Sequence, residues 1–272
     1  MTSVESKFID AGGLRTHYLR AGAGASVILV HGGGAGADAV GNWTETVTSL
    51  AENYAVYAPD MVGFGKTEKP RRDDFVYGQA EREAHLVAFL EAIDCGPAIL
   101  VGNSMGGLTS LGVAHDRPDL VRKLLLMGSA GLPVPMSPEL LSIIEYDHSE
   151  EGMARIVEAL TGPGFVPPGE MIAYRHALSI EPDTQYAYQQ ITAWQKANSG
   201  LEISEERIAA VSCPTLVVAG KNDGVVPLAN AYRFLELIPQ SWGVVMPNCG
   251  HWPMIEYPAE FADLVDQFAR RD

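Results

Sequence analysis

"VGNSMGG" (residues 101–107) decides how this chain is to be read, because Ser104 stands midway between Gly102 and Gly106. The stretch before it, "PAILVGNS" (97–104), is an aliphatic run that reads as a buried strand. The stretch after it, "GGLTSLGVAHDRPDL" (106–120), reads as a helix closed by a proline. A serine on a sharp strand-to-helix turn needs a strained backbone, and close packing there calls for glycine two positions to either side. The turn also sets Ser104 at a helix N-terminus, where the Met105 N–H and the helix dipole can stabilise a developing oxyanion. A plain loop serine is the alternative; the strand before and the helix after favour a nucleophile.

Working outward, "SVILVHG" (26–32), "YAVYAPDMVG" (54–63), "VRKLLLMGSAG" (121–131), "CPTLVVAGKND" (213–223) and "SWGVVMPNCGH" (241–251) read as further strands. "YGQAEREAHLVAFLEAID" (77–94), "ANAYRFLELIP" (229–239) and "PAEFADLVDQFARR" (258–271) carry apolar residues at helical spacing. Strands alternating with helices predict an α/β fold, a mostly parallel sheet covered on both faces. From residue 132 to 205 no strand is convincing, and helical windows alternate with breaks such as "TGPGFVPPGE" (161–170). The expected organisation is a core of residues 1–131 and 206–272 with a helical lid insertion over 132–205.

A nucleophilic serine needs a base, and the base needs an orienting acid. Of seven histidines, His251 in "NCGHW" occupies the short loop between the last strand and the last helix. His17, His115 and His148 fit solvated or packed roles better. Asp223 in "GKNDGVVP" ends the preceding strand, and its neighbour Asn222 cannot act as a carboxylate. The order Ser104, Asp223, His251 is that of the α/β-hydrolase fold. "VHGGGAG" (30–36) supplies glycines through which backbone N–H groups can approach a substrate, so Gly33 is expected to join Met105 in an oxyanion hole. The loop is a poor phosphate cradle, having neither GxGxxG nor a closing GK[ST].

The 272 residues are 47% hydrophobic, enough for a large core, and the formal net charge is −15. Such a surface disfavours nucleic acid and anionic membranes, and an anionic substrate would need a cation in the site itself. No apolar run reaches the roughly 18 residues of a membrane span. "MTSVESKFIDAGG" shows no secretory pattern, and Cys95, Cys213 and Cys249 form no CxxC pair. A cytoplasmic protein with reduced thiols and no metal or cofactor is expected.

Together, "HGGGAGADAVGNW", "APDMVGFGKTEKP", "VGNSMGG", "LLLMGSAGL", "GKNDGVVPL" and "CGHW" resemble the meta-cleavage-product hydrolases of bacterial aromatic degradation. The resemblance spans nearly the whole chain. "IIEYDHSEEGMARIVEALT" and "QSWGVVMPNCGHWPMIEYP" look most like the carbazole-pathway type. It implies hydrolysis of a C–C bond in a 2-hydroxy-6-oxohexa-2,4-dienoate, with an aryl C6 substituent favoured, and a homo-oligomeric enzyme. It also implies that Asn42 and Asn103 contact the polar dienoate end, that Arg175 in "MIAYRHA" binds the carboxylate and 2-oxo group, and that Trp252 belongs to the site. Ser104 or a water activated by His251 would make the attack. Read alone, Arg175 could be a surface helix arginine, Trp252 core packing and Asn42 a cap. The lid aromatics Tyr174, Tyr186, Tyr188 and Trp194 could line a pocket or pack the lid on itself. An esterase or lactonase with the same triad, or a non-catalytic ligand-binding protein of this fold, are the rival readings. A serine at the elbow disfavours haloalkane dehalogenases and epoxide hydrolases, which need aspartate there.

Overall fold

The computed structural model describes residues 3–198 and 200–271. Eight strands lie in one sheet: β1 (Glu5–Ala11), β2 (Leu14–Ala21), β3 (Ala25–Val30), β4 (Tyr54–Pro59), β5 (Ala98–Asn103), β6 (Val121–Met127), β7 (Thr215–Gly220) and β8 (Ser241–Met246). Their spatial order is β1-β2-β4-β3-β5-β6-β7-β8. From β4 to β8 every neighbouring pair is parallel, and the antiparallel pairs β1–β2 and β2–β4 complete one edge.

The central strands β3, β5 and β7 are largely apolar because both faces of the sheet are covered there. Successive residues point to opposite sides. Val27 and Leu29 of β3 enter one core, with Trp43, Val47, Phe261 and Val265 of helices α1 (Ala39–Leu50) and α11 (Pro258–Arg270). Ile28 and Val30 enter the other, with Leu86, Phe89, Leu111 and Phe234 of α2 (Gln79–Ile93), α3 (Met105–Asp116) and α9 (Leu228–Leu237). The strands and helices predicted from residue 26 onward are all present. The N-terminal hairpin β1–β2 and helix α1 are additions to that reading.

Between β6 and β7 run α4 (Pro138–Ile144), α5 (Glu150–Leu160), α6 (Met171–Ser179), α7 (Pro182–Ala197) and the short α8 (Glu205–Ala209). Serines start several of them: Ser137 and Ser149 accept the N–H groups of Leu140 and Gly152. The Pro/Gly-rich stretch 161–170 is the break between α5 and α6. The base of this segment is fastened where Gly131 bonds Leu201 and Ile203 through its N–H and C=O. No described helix is long and apolar enough to cross a membrane.

Candidate active site

Ser104 sits between β5 and α3 with φ 53° and ψ −120°, a conformation that costs a non-glycine residue free energy. Three backbone bonds hold it there. Its N–H donates to Met127 O, and its carbonyl accepts from Leu108 and Ala130, each at 3.1 Å. The flanking glycines are sterically required: a Cβ on Gly102 would lie 2.6 Å from Gly107 Cα, and one on Gly106 would lie 2.4 Å from the carbonyl oxygens of Val30 and His31.

Asp223, in the loop after β7, is fixed by its own turn. Its Oδ1 accepts the N–H groups of Val225 and Val226 at 2.9 Å, and its Oδ2 lies 2.7 Å from His251 Nδ1. A carboxylate can only accept, so the His251 Nδ1 carries the proton and Nε2 keeps a lone pair. The His251 loop is held from two sides. His251 N–H donates to Leu160 O at 3.0 Å, and Glu256 accepts the N–H groups of Gly250 and Gly162. Both Ser104 and His251 lean on the end of β6. Gly128, at φ +49°, has no room for a side chain there: a Cβ would come within 2.9 Å of His251 Nδ1 and 3.1 Å of Asp223 Oδ2.

The loop after β3 is shaped by His31, a residue the sequence reading passed over. It is fully buried, and burial holds its pKa below the ordinary value, so the ring is neutral. Its Nε2 accepts the Met61 N–H at 3.0 Å, which leaves Nδ1–H to donate to Gly32 O at 2.7 Å. In a trans peptide the C=O and the following N–H point in opposite directions. Fixing Gly32 O on His31 therefore turns the Gly33 N–H away from that ring. Gly33 lies beside the elbow, where a Cβ would sit 2.6 Å from Met105 Sδ. The Met105 N–H is the first of α3, a position with no intrahelical acceptor. The only legible signal for His31 was its place between a strand and a glycine run.

Arg175, Asn42 and Trp252 meet although they come from α6, α1 and the loop before α10 (Pro253–Glu256). The Arg175 guanidinium lies 4.3 Å over the Trp252 ring, and its Nη2 donates to Asn42 Oδ1 at 2.9 Å and Gly41 O at 3.1 Å. Arg175 is only 1% exposed, its Nε has no partner, and no described carboxylate forms an ion pair with it. Burial lowers its pKa to about 10, so it remains a cation at neutral pH. Asn103 is placed differently, buried behind the elbow. Its Nδ2 donates to Met127 O and His251 O, and its Oδ1 is without a protein partner.

Tyr174, Tyr186, Tyr188 and Trp194 of the insertion divide. Tyr186 packs on Tyr77 beneath Arg71, and Trp194 lies under Arg82. Tyr174 and Tyr188 instead reach the loop after β3, at Asp38 and at the Ala35 backbone. A cavity of about 630 Å³ opens between α5, α6 and the Asp223 loop, lined by Thr161, Phe165, Ile172, Asn222 and Gly224. Among the described residues no group of three His, Cys, Asp or Glu side chains is arranged to hold a metal ion.

Residues 25–258 match the family profile of the alpha/beta hydrolase fold. The chain is 48% identical over 266 residues to the 2-hydroxy-6-oxo-6-(2'-aminophenyl)hexa-2,4-dienoic acid hydrolase of Metapseudomonas resinovorans, covering 97% of this chain and 91% of that one. Among solved structures, a serine hydrolase involved in carbazole degradation superposes with a TM-score of 0.91 at 46% identity, over 98% of this chain and 99% of the other. The meta-cleavage product hydrolase of Pseudomonas fluorescens IP01 gives 0.90 at 33% identity, over 97% of each chain. The elbow, the loop beside it and the buried arginine thus occur in a chain that matches such enzymes nearly end to end. The chain is an α/β-hydrolase and belongs to the meta-cleavage product hydrolases.

Proposed function

We propose that this hydrolase cleaves the C5–C6 bond of a 2-hydroxy-6-oxohexa-2,4-dienoate bearing an aryl group at C6, giving a 2-hydroxypenta-2,4-dienoate and an aryl carboxylic acid. The observation that carries the reading is Arg175. The buried guanidinium is in no direct ion pair and its Nε has no partner, so an anion that accepts its free donors completes the site. The substrate's carboxylate and 2-oxygen supply that anion, with Asn42 beside the guanidinium and Trp252 beneath it. A simple esterase has no use for this arrangement. The net charge of −15 makes a local cation all the more necessary for an acidic substrate.

In this reading the dienol is first converted to its keto form, a proton moving to C5 as the Arg175 end holds the 2-oxygen. The carbonyl at C2 then becomes an electron sink for the departing carbon. His251 Nε2 takes the Ser104 proton while Asp223 stabilises the imidazolium. Ser104 Oγ attacks C6, and the Gly33 and Met105 N–H groups hold the oxyanion. As the carbonyl re-forms, the C5–C6 pair of electrons passes into the dienol product. Water then hydrolyses the acyl-serine, with His251 again acting as base. The helical segment 132–205 acts as a lid that carries Arg175 to the site. The enzyme is taken to be a cytoplasmic homo-oligomer, the latter to be checked by light scattering. The test of the chemistry is to mix the protein with a 6-phenyl dienoate. Its visible band should bleach as benzoate appears in equal amount; turnover of p-nitrophenyl esters with no dienoate turnover would mean an esterase instead.

A further inference from the structure

We propose that Tyr174 and Asp38 form a latch that positions Arg175 and keeps its donors available, so that the pair sets selectivity for acidic dienoates over neutral esters. This rests on the reading of Arg175 as the carboxylate-binding residue. Tyr174 and Arg175 are consecutive on α6, and both grip the first turn of α1. The Tyr174 hydroxyl donates to Asp38 Oδ2 at 2.5 Å, while Arg175 Nη2 reaches Gly41 O and Asn42 Oδ1. Asp38 is 2% exposed and caps α1, its Oδ1 accepting the Gly41 N–H at 2.7 Å. The backbone of α6 lies directly on the loop before α1, since a Cβ on Gly36 would fall 2.1 Å from Arg175 O.

The arrangement separates two effects of a carboxylate near an arginine. Asp38 provides a negative charge close enough to favour the charged form of Arg175. Yet both its oxygens are occupied, one by the Tyr174 hydroxyl and one by the Gly41 amide. A direct ion pair would tie up the guanidinium fork and compete with the substrate. The Tyr174 hydroxyl and the Gly41 N–H hold the carboxylate in an orientation in which it makes no direct ion pair with Arg175. Tyr174 and Asp38 are positioning residues, acting on the substrate through Arg175.

The test compares Tyr174→Phe, Arg175→Gln and the parent on two substrates, a 6-phenyl dienoate and neutral p-nitrophenyl acetate, with melting temperatures recorded alongside. The readout is the ratio of kcat/KM for dienoate to that for ester. Arg175→Gln is expected to lower it about a hundredfold. Tyr174→Phe should lower it about tenfold, the loss appearing in the dienoate KM. If Arg175→Gln lowers the ratio and Tyr174→Phe leaves it at the parent value, the latch is wrong and the proposed function stands. Equal losses on both substrates in Tyr174→Phe would mean a merely structural contact and would also overturn it. If Arg175→Gln leaves the ratio unchanged, the carboxylate-binding role falls, and the latch with it.

Discussion

Among the described residues two Ser–His–Asp sets share a 2.7 Å His–Asp contact and differ in their serine and their surroundings. In one, Ser6 Oγ lies 2.8 Å from His17 Nε2, and His17 Nδ1 lies 2.7 Å from Asp60 Oδ2. In the other, His251 Nδ1 lies 2.7 Å from Asp223 Oδ2, and Ser104 stands on the elbow beside it. Ser6 belongs to extended strand β1, paired with Leu19 in the ladder, and no helix starts there to present N–H groups. Asp60 also accepts the N–H groups of Ala39 and Lys66 at 2.7 Å, so it fastens β2, the start of α1 and the loop after β4 to one another. Asp223 spends its second oxygen only on its own turn. A hydrogen-bonded serine, histidine and aspartate are therefore not enough to define a catalytic site. The strained turn and the amides at its side distinguish the second grouping from the first.

Matched Asp→Asn variants should separate the two most widely. Asn at 223 can still accept both amides through its carbonyl, but its NH2 then faces Nδ1 and forces the wrong histidine tautomer. Dienoate kcat should fall roughly 10⁴-fold with little loss of stability, measured by steady-state kinetics and thermal melting. Asp60→Asn should do the reverse, costing about 3 kcal/mol of stability in urea unfolding while the folded fraction keeps near-parental turnover. Burial pushes the Asp60 carboxyl up, but the His17 hydrogen bond and charge outweigh it and hold the group below its ordinary value. A carboxyl depressed on folding contributes stability above its unfolded pKa near 4, and that contribution is lost as pH falls through the folded value. The parent should lose this increment in acid, whereas Asp60→Asn should lack it at every pH. The smallest effect is expected for Ser6→Ala: about 0.5–1.5 kcal/mol of stability and unchanged dienoate kinetics.

The same contrast explains how far the sequence could be read. Ser104, Asp223 and His251 were legible because each follows a strand of continuous apolar residues, and strand ends fix their place in a parallel sheet. The hairpin carrying Ser6 and His17 was not, since β1 mixes exposed and half-buried residues and has no apolar run to mark it. For Arg175 the expectation of a site role rested on a resemblance alone, and its burial was not legible. Nothing in "MIAYRHA" distinguishes a buried cation from a surface one until α6 is packed on α1. The elbow's partners in space, His31 and Gly128, act through backbone contacts that no residue spacing encodes. Asn103 adjoined the serine in sequence, yet its amide nitrogen turned out to brace the His251 loop.

The most direct test of the central claim sets Ser104→Ala and Ser6→Ala against the parent in one assay, quantifying benzoate released from a 6-phenyl dienoate. Ser104→Ala should still bind the dienoate and release no benzoate above the uncatalysed rate, while Ser6→Ala releases it at the parental rate. Benzoate release by Ser104→Ala at the parental rate, or its loss in a folded Ser6→Ala protein, would contradict the assignment.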